Sequence, residues 1–486
     1  MSTSSGAEIV LGLITTVGTD TENVIRYMKE HLSKFSYTTE IINVSSEILS
    51  NFDKTSPSFT CEYDRIKHYM DLGNQTRKNT NDASIIMKGV TSYILSRRDS
   101  MDEPSPRDKV AYIIKSIKHP KEAEYLKQVY GDGFHLIGIS SDLDTRKKFL
   151  TDVKSMLPSQ VDELIDRDSD ETDDMGQHTQ DVFQNSDYFI NVVDNTEEIK
   201  NCVFRLIDLL FGNPFITPTF DEYAMFMAYA ASLRSADLSR QIGAVVTKNN
   251  EILASGVNDC PSFGGGLYWQ LHDNNTYYDE KDGRDYMLGY DSNKKQQTEI
   301  INKILDNLEI EKTEKNIRLV KKSGIGSLTE YGRVVHAEME ALLSCARNNI
   351  SSKDSTMYVT TFPCHNCAKH IIAAGVKKVV YIEPYPKSKA LDFYKKEIST
   401  SAVDLNKKLI FIPFSGVGPR RYIDLFIMSS SKWGDKKRKN DNGDRVVWER
   451  NTASVRNPMR AMTYLDYEKV GYLSFYNETK GENENE

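Results

Sequence analysis

Cysteine is scarce in this chain: six among 486 residues, at Cys61, Cys202, Cys260, Cys345, Cys364 and Cys367. That density is too low for a disulfide scaffold. The four scattered ones read as small buried hydrophobes. Long apolar runs are missing too, and none approaches the roughly 20 residues a membrane helix needs. The opening MSTSSGAEIV has no basic segment leading into an apolar stretch, so no secretory signal is expected and a cytoplasmic location follows. Positive charge is also short. A formal net charge of −8 lacks the basic footprint of proteins that grip long nucleic acid. Small phosphorylated metabolites stay open, because they need only a local basic pocket.

What is present is a soluble globular composition, 39% hydrophobic and 27% charged, in a chain long enough for two domains. Residues 8 to about 212 alternate apolar strands (8–14, 39–44, 110–114, 134–139, 188–193) with amphipathic helices. In 21–35, Val24, Met28, Leu32 and Phe35 recur at helical spacing. Strands alternating with helices predict a doubly wound parallel sheet covered on both faces. Gly212, Pro214 and Pro218 mark a linker. A second α/β pattern follows: helix 221–234, strands 242–248 and 251–257, helix 336–348, strand 356–361, helix 364–374, strand 378–383, a helix near 388–398, and strand 409–414. It is broken by a polar, Tyr- and Asp-rich insertion, 264–330, partly helical around 295–311. The expected domains are 1–212 and 221–430, with a partly disordered extension over 431–486. The run Lys436-Lys437-Arg438-Lys439 reads as a solvated loop, with a phosphate or RNA contact as the alternative, and the acidic stretch Asp162 to Asp174 reads as solvated, with a lid near a nucleotide as the alternative.

Chemistry concentrates at His336-Ala337-Glu338 and Pro363-Cys364-His365-Asn366-Cys367. Zinc takes imidazole nitrogen and thiolate sulfur tetrahedrally, and a catalytic zinc keeps one position open for water. His336, Cys364 and Cys367 supply three ligands. Cys364 and Cys367 share a face in the first turn of a helix, whose positive end favours thiolate. Pro363 suits the helix start. His336 likewise begins a helix whose Leu342, Leu343 and Ala346 are expected to bury against the sheet. A zinc site makes hydroxide available at neutral pH, and Glu338, two residues after the ligand histidine, is placed to move protons. His-x-Glu with Pro-Cys-x-x-Cys is the zinc deaminase signature; His365 and His370 are bystanders. Upstream, Asn258 follows a strand inside Gly256-Val257-Asn258-Asp259. It reads either as a turn residue or as a sugar contact.

At these residues the chain resembles a known family. Arg234-Ser235-Ala236-Asp237, Gln241-Ile242-Gly243-Ala244, Asn258, His336, Glu338, Cys364 and Cys367 make 221–415 similar to the deoxycytidylate deaminase branch of the cytidine deaminase fold. That resemblance implies an α/β/α sandwich, one Zn2+ per site, homo-oligomers, Glu338 as proton shuttle, and Asn258, Ser235 and Gln241 as substrate contacts. The whole chain resembles the bacterial anti-phage dCTP deaminases, which join a P-loop kinase-like domain to such a deaminase. That likeness rests on GLITTVGTD (12–20), residues 117–140, IDRD (165–168), FGGGLYW (263–269) and residues 328–343. It implies dCTP depletion during infection. Some resembling systems are restrained by a small RNA.

The first domain departs from a working kinase. With Gly18 as the second P-loop glycine, Leu13 stands at the first, Thr19 at the lysine and Asp20 at the hydroxyl position. Phosphotransfer is not expected; backbone N–H groups around Gly12, Gly18, Thr19 and Asp20 can still hold a regulatory nucleotide, and the alternative is a vestigial loop doing only structural work. The function expected is therefore zinc-dependent deamination of free deoxycytidine nucleotides, dCTP and/or dCMP. Two alternatives stand beside it: a polynucleotide cytosine editor, and a nucleotide-sensing scaffold with a structural zinc.

Overall fold

The computed structural model describes residues 7–480, apart from 54, 56, 170–174, 194, 329, 386–387, 431–433 and 460–462. Its contacts divide the chain into two compact units, one formed by Met1–Glu222 with Ser415–Glu486 and the other by Tyr223–Phe414.

The first unit is built on five parallel strands: β1 (Ile9–Thr15), β2 (Thr38–Asn43), β3 (Val110–Lys115), β4 (Phe134–Ser140) and β5 (Tyr188–Asn191). They lie in the order β5-β4-β1-β3-β2, and the pair Gly416–Val417 adds an antiparallel edge to β5. Central strands buried on both faces read as continuous apolar runs, which is why IVLGLIT and VAYII carry no alternation. One face packs against α1 (Glu22–Ser33) and a late helix (Thr196–Leu210). There Val24, Met28 and Leu32 meet Val203, Leu206 and Leu210 over Ile9, Leu11 and Leu13.

The C-terminal segment belongs to this unit, so the expected boundaries at 430 and 431 give way to a single join at Ser415. Within the 431–486 extension, Thr463–Lys480 is helical. It lies so close to helix Ile85–Ser96 that a Cβ on Gly89 would overlap the Phe475 ring, and one on Gly471 would overlap Thr91 and the Tyr125 hydroxyl. Beneath it, buried Arg98 bonds Glu8 at 3.0 Å and Glu468 at 2.7 Å. Residues 481–486 lie outside the described part.

In the second unit, β6 (Gly243–Lys248) and β7 (Glu251–Val257) form an antiparallel pair, and β6 runs antiparallel to β8 (Thr356–Thr361). Strand β8 then pairs in parallel with β9 (Lys378–Glu383), and β9 with β10 (Leu409–Pro413). The helix expected near 388–398 is one turn, Ala390–Phe393, followed by the short strand Ile398–Ser399. The insertion holds an exposed hairpin, Leu271–Asp273 with Thr276–Tyr278, and two helices, Ser292–Asn307 and Glu314–Lys322.

Candidate active site

The sheet of the second unit brings several chain segments to one edge. Strand β7 ends there at Val257 opposite Gly243, where β6 begins; β8 and β9 end there in register at Thr361 and Glu383. The bridge between Asp259 and Val335 carries the chain to the same edge just before His336. His336 is the N-cap of helix Ala337–Arg347, and Cys364 is the N-cap of helix His365–Ala373. Pro363 therefore stands one residue before the cap rather than in the first turn.

His336, Cys364 and Cys367 offer ligand atoms that all lie within 4.8 Å of one another. His336 Nδ1 is 3.4 Å from Cys364 Sγ and 3.3 Å from Cys367 Sγ. A tetrahedral zinc with sulfur at about 2.3 Å and nitrogen at about 2.0 Å would need nitrogen–sulfur separations of roughly 3.5 Å, so the set fits. Its electrostatics fit as well. Hydrogen bonding from Cys367 and His336 outweighs burial and holds the Cys364 thiol down to about 4. The neighbouring Cys364 sulfur, then burial and Glu338, push Cys367 well up, and the bond to Cys364 raises His336 to about 9. Only Cys364 is held as a thiolate here; a divalent cation would displace the protons of Cys367 and His336 and take all three as ligands.

Glu338 lies in the first turn after His336, 4% exposed. Burial raises its carboxyl above the ordinary value, opposed by His336. His365 packs edge-on against Phe393 and His370 bonds the Asn366 carbonyl, so neither joins the trio. The helix carrying Glu338 buries Ala337, Ala341 and Cys345; of the expected Leu342, Leu343 and Ala346, Leu342 is half-buried against the same core and the other two are exposed. Its backbone approaches β7 so closely that a Cβ on Gly256 would overlap Ala337 O and Ala341 N. At that separation only small side chains fit between helix and strand.

The three residues read as substrate contacts are joined to one another and to the neighbouring backbone in a clamp. Asn258 Oδ1 accepts from Ile242 N–H at 2.7 Å, and its Nδ2 donates to the Arg240 carbonyl at 2.8 Å. Ser235 Oγ donates to the Asn258 carbonyl at 2.7 Å, and Gln241 Nε2 to the Ser235 carbonyl at 2.9 Å. All of these bonds end on backbone, so the trio holds loop 233–242 in shape.

In the first unit, Gly18 (φ +87°), Thr19 and Asp20 lie on the loop between β1 and α1, lining a cleft of about 340 Å³. Gly12 does not. It sits mid-strand, where a Cβ would overlap Ile117 and Phe134, so its glycine serves packing. Asp168, expected in a solvated acidic stretch, is 1% exposed. It accepts from Val17 N–H and from Lys118 Nζ, both at 2.7 Å. Residues 170–174 of that stretch lie outside the described part. The sequence carried one signal for this contact, the IDRD motif, without naming its partner.

Residues 218–383 match the family model described as the cytidine and deoxycytidylate deaminase zinc-binding region. The deoxycytidylate deaminase of enterobacteria phage T2 is 32% identical over 163 residues, 34% of this chain and 79% of that protein. Its counterpart in phage T4 is 33% identical over 163 residues, covering 34% of this chain and 77% of that protein. A crystal structure of dCMP deaminase from cyanophage S-TIM5 in complex with dCMP and dUMP aligns at 24% identity, 41% of this chain and 99% of that chain, with a TM-score of 0.24. With a matched zinc-binding region and more than three quarters of two phage enzymes covered, this chain belongs to the deoxycytidylate deaminase family and is a zinc-dependent hydrolase of the cytidine/deoxycytidylate type.

Proposed function

We propose that the unit 223–414 deaminates free deoxycytidine nucleotides, dCMP and dCTP, to the corresponding deoxyuridine nucleotides. The observation that carries this is the convergence of one imidazole and two sulfurs beside a buried carboxylate. His336, Cys364 and Cys367 would hold the zinc, which when bound supplies the Lewis acidity that makes water nucleophilic at neutral pH. Water adds to ring carbon C4 while Glu338 carries one of its protons to N3; Glu338 then takes the proton of the new C4 hydroxyl and passes it to the amino group, so that the C4–N bond breaks, ammonia leaves and the C4 carbonyl forms. A carboxyl raised by burial suits both halves of that task, since an effective acid/base has a pKa near the working pH. Asn258, Ser235 and Gln241 serve by fixing the loop at the rim.

The first unit, by this reading, is a P-loop kinase-like domain that binds a regulatory nucleotide without transferring phosphate. Its parallel strand order and the Gly18 loop between β1 and α1 support binding. Thr19 in place of the lysine, and Asp168 seated on Val17 N–H, argue against transfer. The wider reading is dCTP depletion in anti-phage defence by a cytoplasmic homo-oligomer, and it rests on the sequence resemblance. A small inhibitory RNA would find Lys437 and Lys439 exposed, whereas Lys436 is partly buried and Arg438 bonds the Pro214 carbonyl. No helix among the described residues is long and apolar enough to cross a membrane.

The test is to incubate zinc-loaded protein with dCMP and with dCTP. Ammonia and deoxyuridine nucleotides are expected from the wild type and not from Glu338→Ala; unchanged nucleotides in both would refute the reading. Nucleotide profiles of cells expressing either form test the depletion claim.

A further inference from the structure

The edge that holds the zinc ligands also carries a cation with no task yet. Segments ending there bring three arginines. Arg234 stacks at 3.7 Å over the Trp269 ring and donates to the Tyr268 carbonyl. Arg333 is tied to Asp285 at 3.1 Å and to the Gly283 carbonyl at 2.8 Å. Arg240 differs: its side chain is 51% exposed, 2.8 Å from Glu383 Oε1 and 5.8 Å above the Tyr385 ring. Its backbone is fixed from both sides. Asp237 Oδ1 accepts from Ser239 N–H and Arg240 N–H, while Asn258 takes the Arg240 carbonyl. Clamping a backbone that firmly under a half-exposed guanidinium aims the guanidinium.

Its surroundings place it at the mouth of the site. Glu383 ends β9 beside Thr361, which donates to it at 2.9 Å and stands three residues before Cys364. Ser388 donates to the Pro363 carbonyl at 2.8 Å, so it lies against the turn that leads into the cysteine helix. A pyrimidine nucleotide with C4 at the zinc ligands carries its 5′-phosphate outward, a sugar's length away. The rim is where a phosphate-reading group belongs.

We propose that Arg240 reads the α-phosphate of the substrate, exchanging Glu383 for it on binding, and so makes the enzyme select nucleotides over nucleosides. This rests on the deaminase reading above. Glu383, only 16% exposed and anchored by Thr361, keeps the guanidinium in place while the site is empty. A phosphate displaces it because a planar guanidinium can engage a phosphate dianion through two parallel hydrogen bonds. The displaced carboxylate remains beside the phosphate and opposes it, which holds the gain below what a free arginine would give.

The experiment compares wild type, Arg240→Ala and Glu383→Gln on dCMP and on deoxycytidine. A parallel calorimetric titration uses dUMP and deoxyuridine. A charge-assisted hydrogen bond is lost in Arg240→Ala, so its dCMP-to-deoxycytidine ratio of kcat/KM should fall on the order of 10- to 100-fold. The dUMP-to-deoxyuridine affinity ratio should fall with it. Glu383→Gln should raise both ratios. Equal losses on nucleotide and nucleoside, or unchanged ratios, would overturn the assignment. Should the wild type release ammonia from neither substrate, the deaminase reading fails, and the affinity ratios still decide whether Arg240 reads phosphate.

Discussion

Glu338 and the three residues that would grip zinc sit within a few ångströms of one another, yet they do different work, and single substitutions separate them. Glu338→Gln removes a proton carrier while keeping size and helix position. It should lower kcat by roughly 10²- to 10⁴-fold, the usual worth of general acid–base catalysis, with zinc content by atomic emission unchanged. Asn258→Ala acts elsewhere. It strands the Ile242 N–H and the Arg240 carbonyl, each of which loses its bond to the buried amide. A loss of about 1–3 kcal/mol in urea denaturation is expected. If Asn258→Ala left stability untouched and changed only KM, the clamp would be the wrong description. The trio itself was legible from spacing, because a metal dictates residue types at fixed offsets. The tasks of Asn258, Ser235 and Gln241 were not, since their partners are backbone atoms and no pattern in the sequence announces a carbonyl.

Helices and strands hold the site through close approach. Helix Ala337–Arg347 presents Ala337, Ala341 and Cys345 to β7, and Gly256 is the point of nearest contact. Gly256→Ala should therefore push helix and strand apart, carrying His336 with them. A fall in both melting temperature and zinc content is expected; full zinc occupancy at an unchanged melting temperature would contradict it. Helix periodicity gave the element and the packed Leu342, but missed Ala337, Ala341 and Cys345 as the face nearest the sheet. Leucines usually mark the buried side, and here the gap admits only small residues. Strands were easier to place, since β3, β7, β8 and β9 are unbroken apolar or alternating runs bounded by polar residues. The first-unit loop was harder. Its shape depends on Asp168, 151 residues away from Val17, and long-range pairing leaves no local trace.

Across the whole molecule, the C-terminal segment completes the first unit. The helix Thr463–Lys480 mixes buried Tyr464 and Leu465 with exposed Tyr467, Val470 and Leu473, so its amphipathic signal is weak and it passed for a tail. Its anchor is ionic. Arg98→Ala leaves Glu8 and Glu468 buried without their cation, at a cost of about 3–5 kcal/mol, and hydrogen exchange should rise across 463–480. A second tie has a pH signature. Asp208 bonds His31 at 2.7 Å and Arg450 at 2.8 Å. Burial would raise its carboxyl, but these partners outweigh burial and hold it below its ordinary 3.8. With the folded value depressed, this stabilisation is complete above pH 3.8 and is lost as pH falls through the folded value. Asp208→Asn should flatten that acid limb in pH-dependent unfolding; an identical limb would show that the tie contributes nothing. The same scale carries the division of labour: a sheet edge gathers the candidate chemistry in one unit, while the other offers a cleft whose loop is already held by its own aspartate.

All of this depends on one zinc ion held by His336, Cys364 and Cys367. X-ray absorption at the zinc edge of the purified protein tests it most directly. One zinc per chain is expected, with two sulfur neighbours at about 2.3 Å and lighter neighbours at about 2.0 Å, the sulfur contribution falling by half in Cys364→Ser. A four-sulfur shell, a shell of light atoms alone, or a spectrum indifferent to that substitution would contradict it.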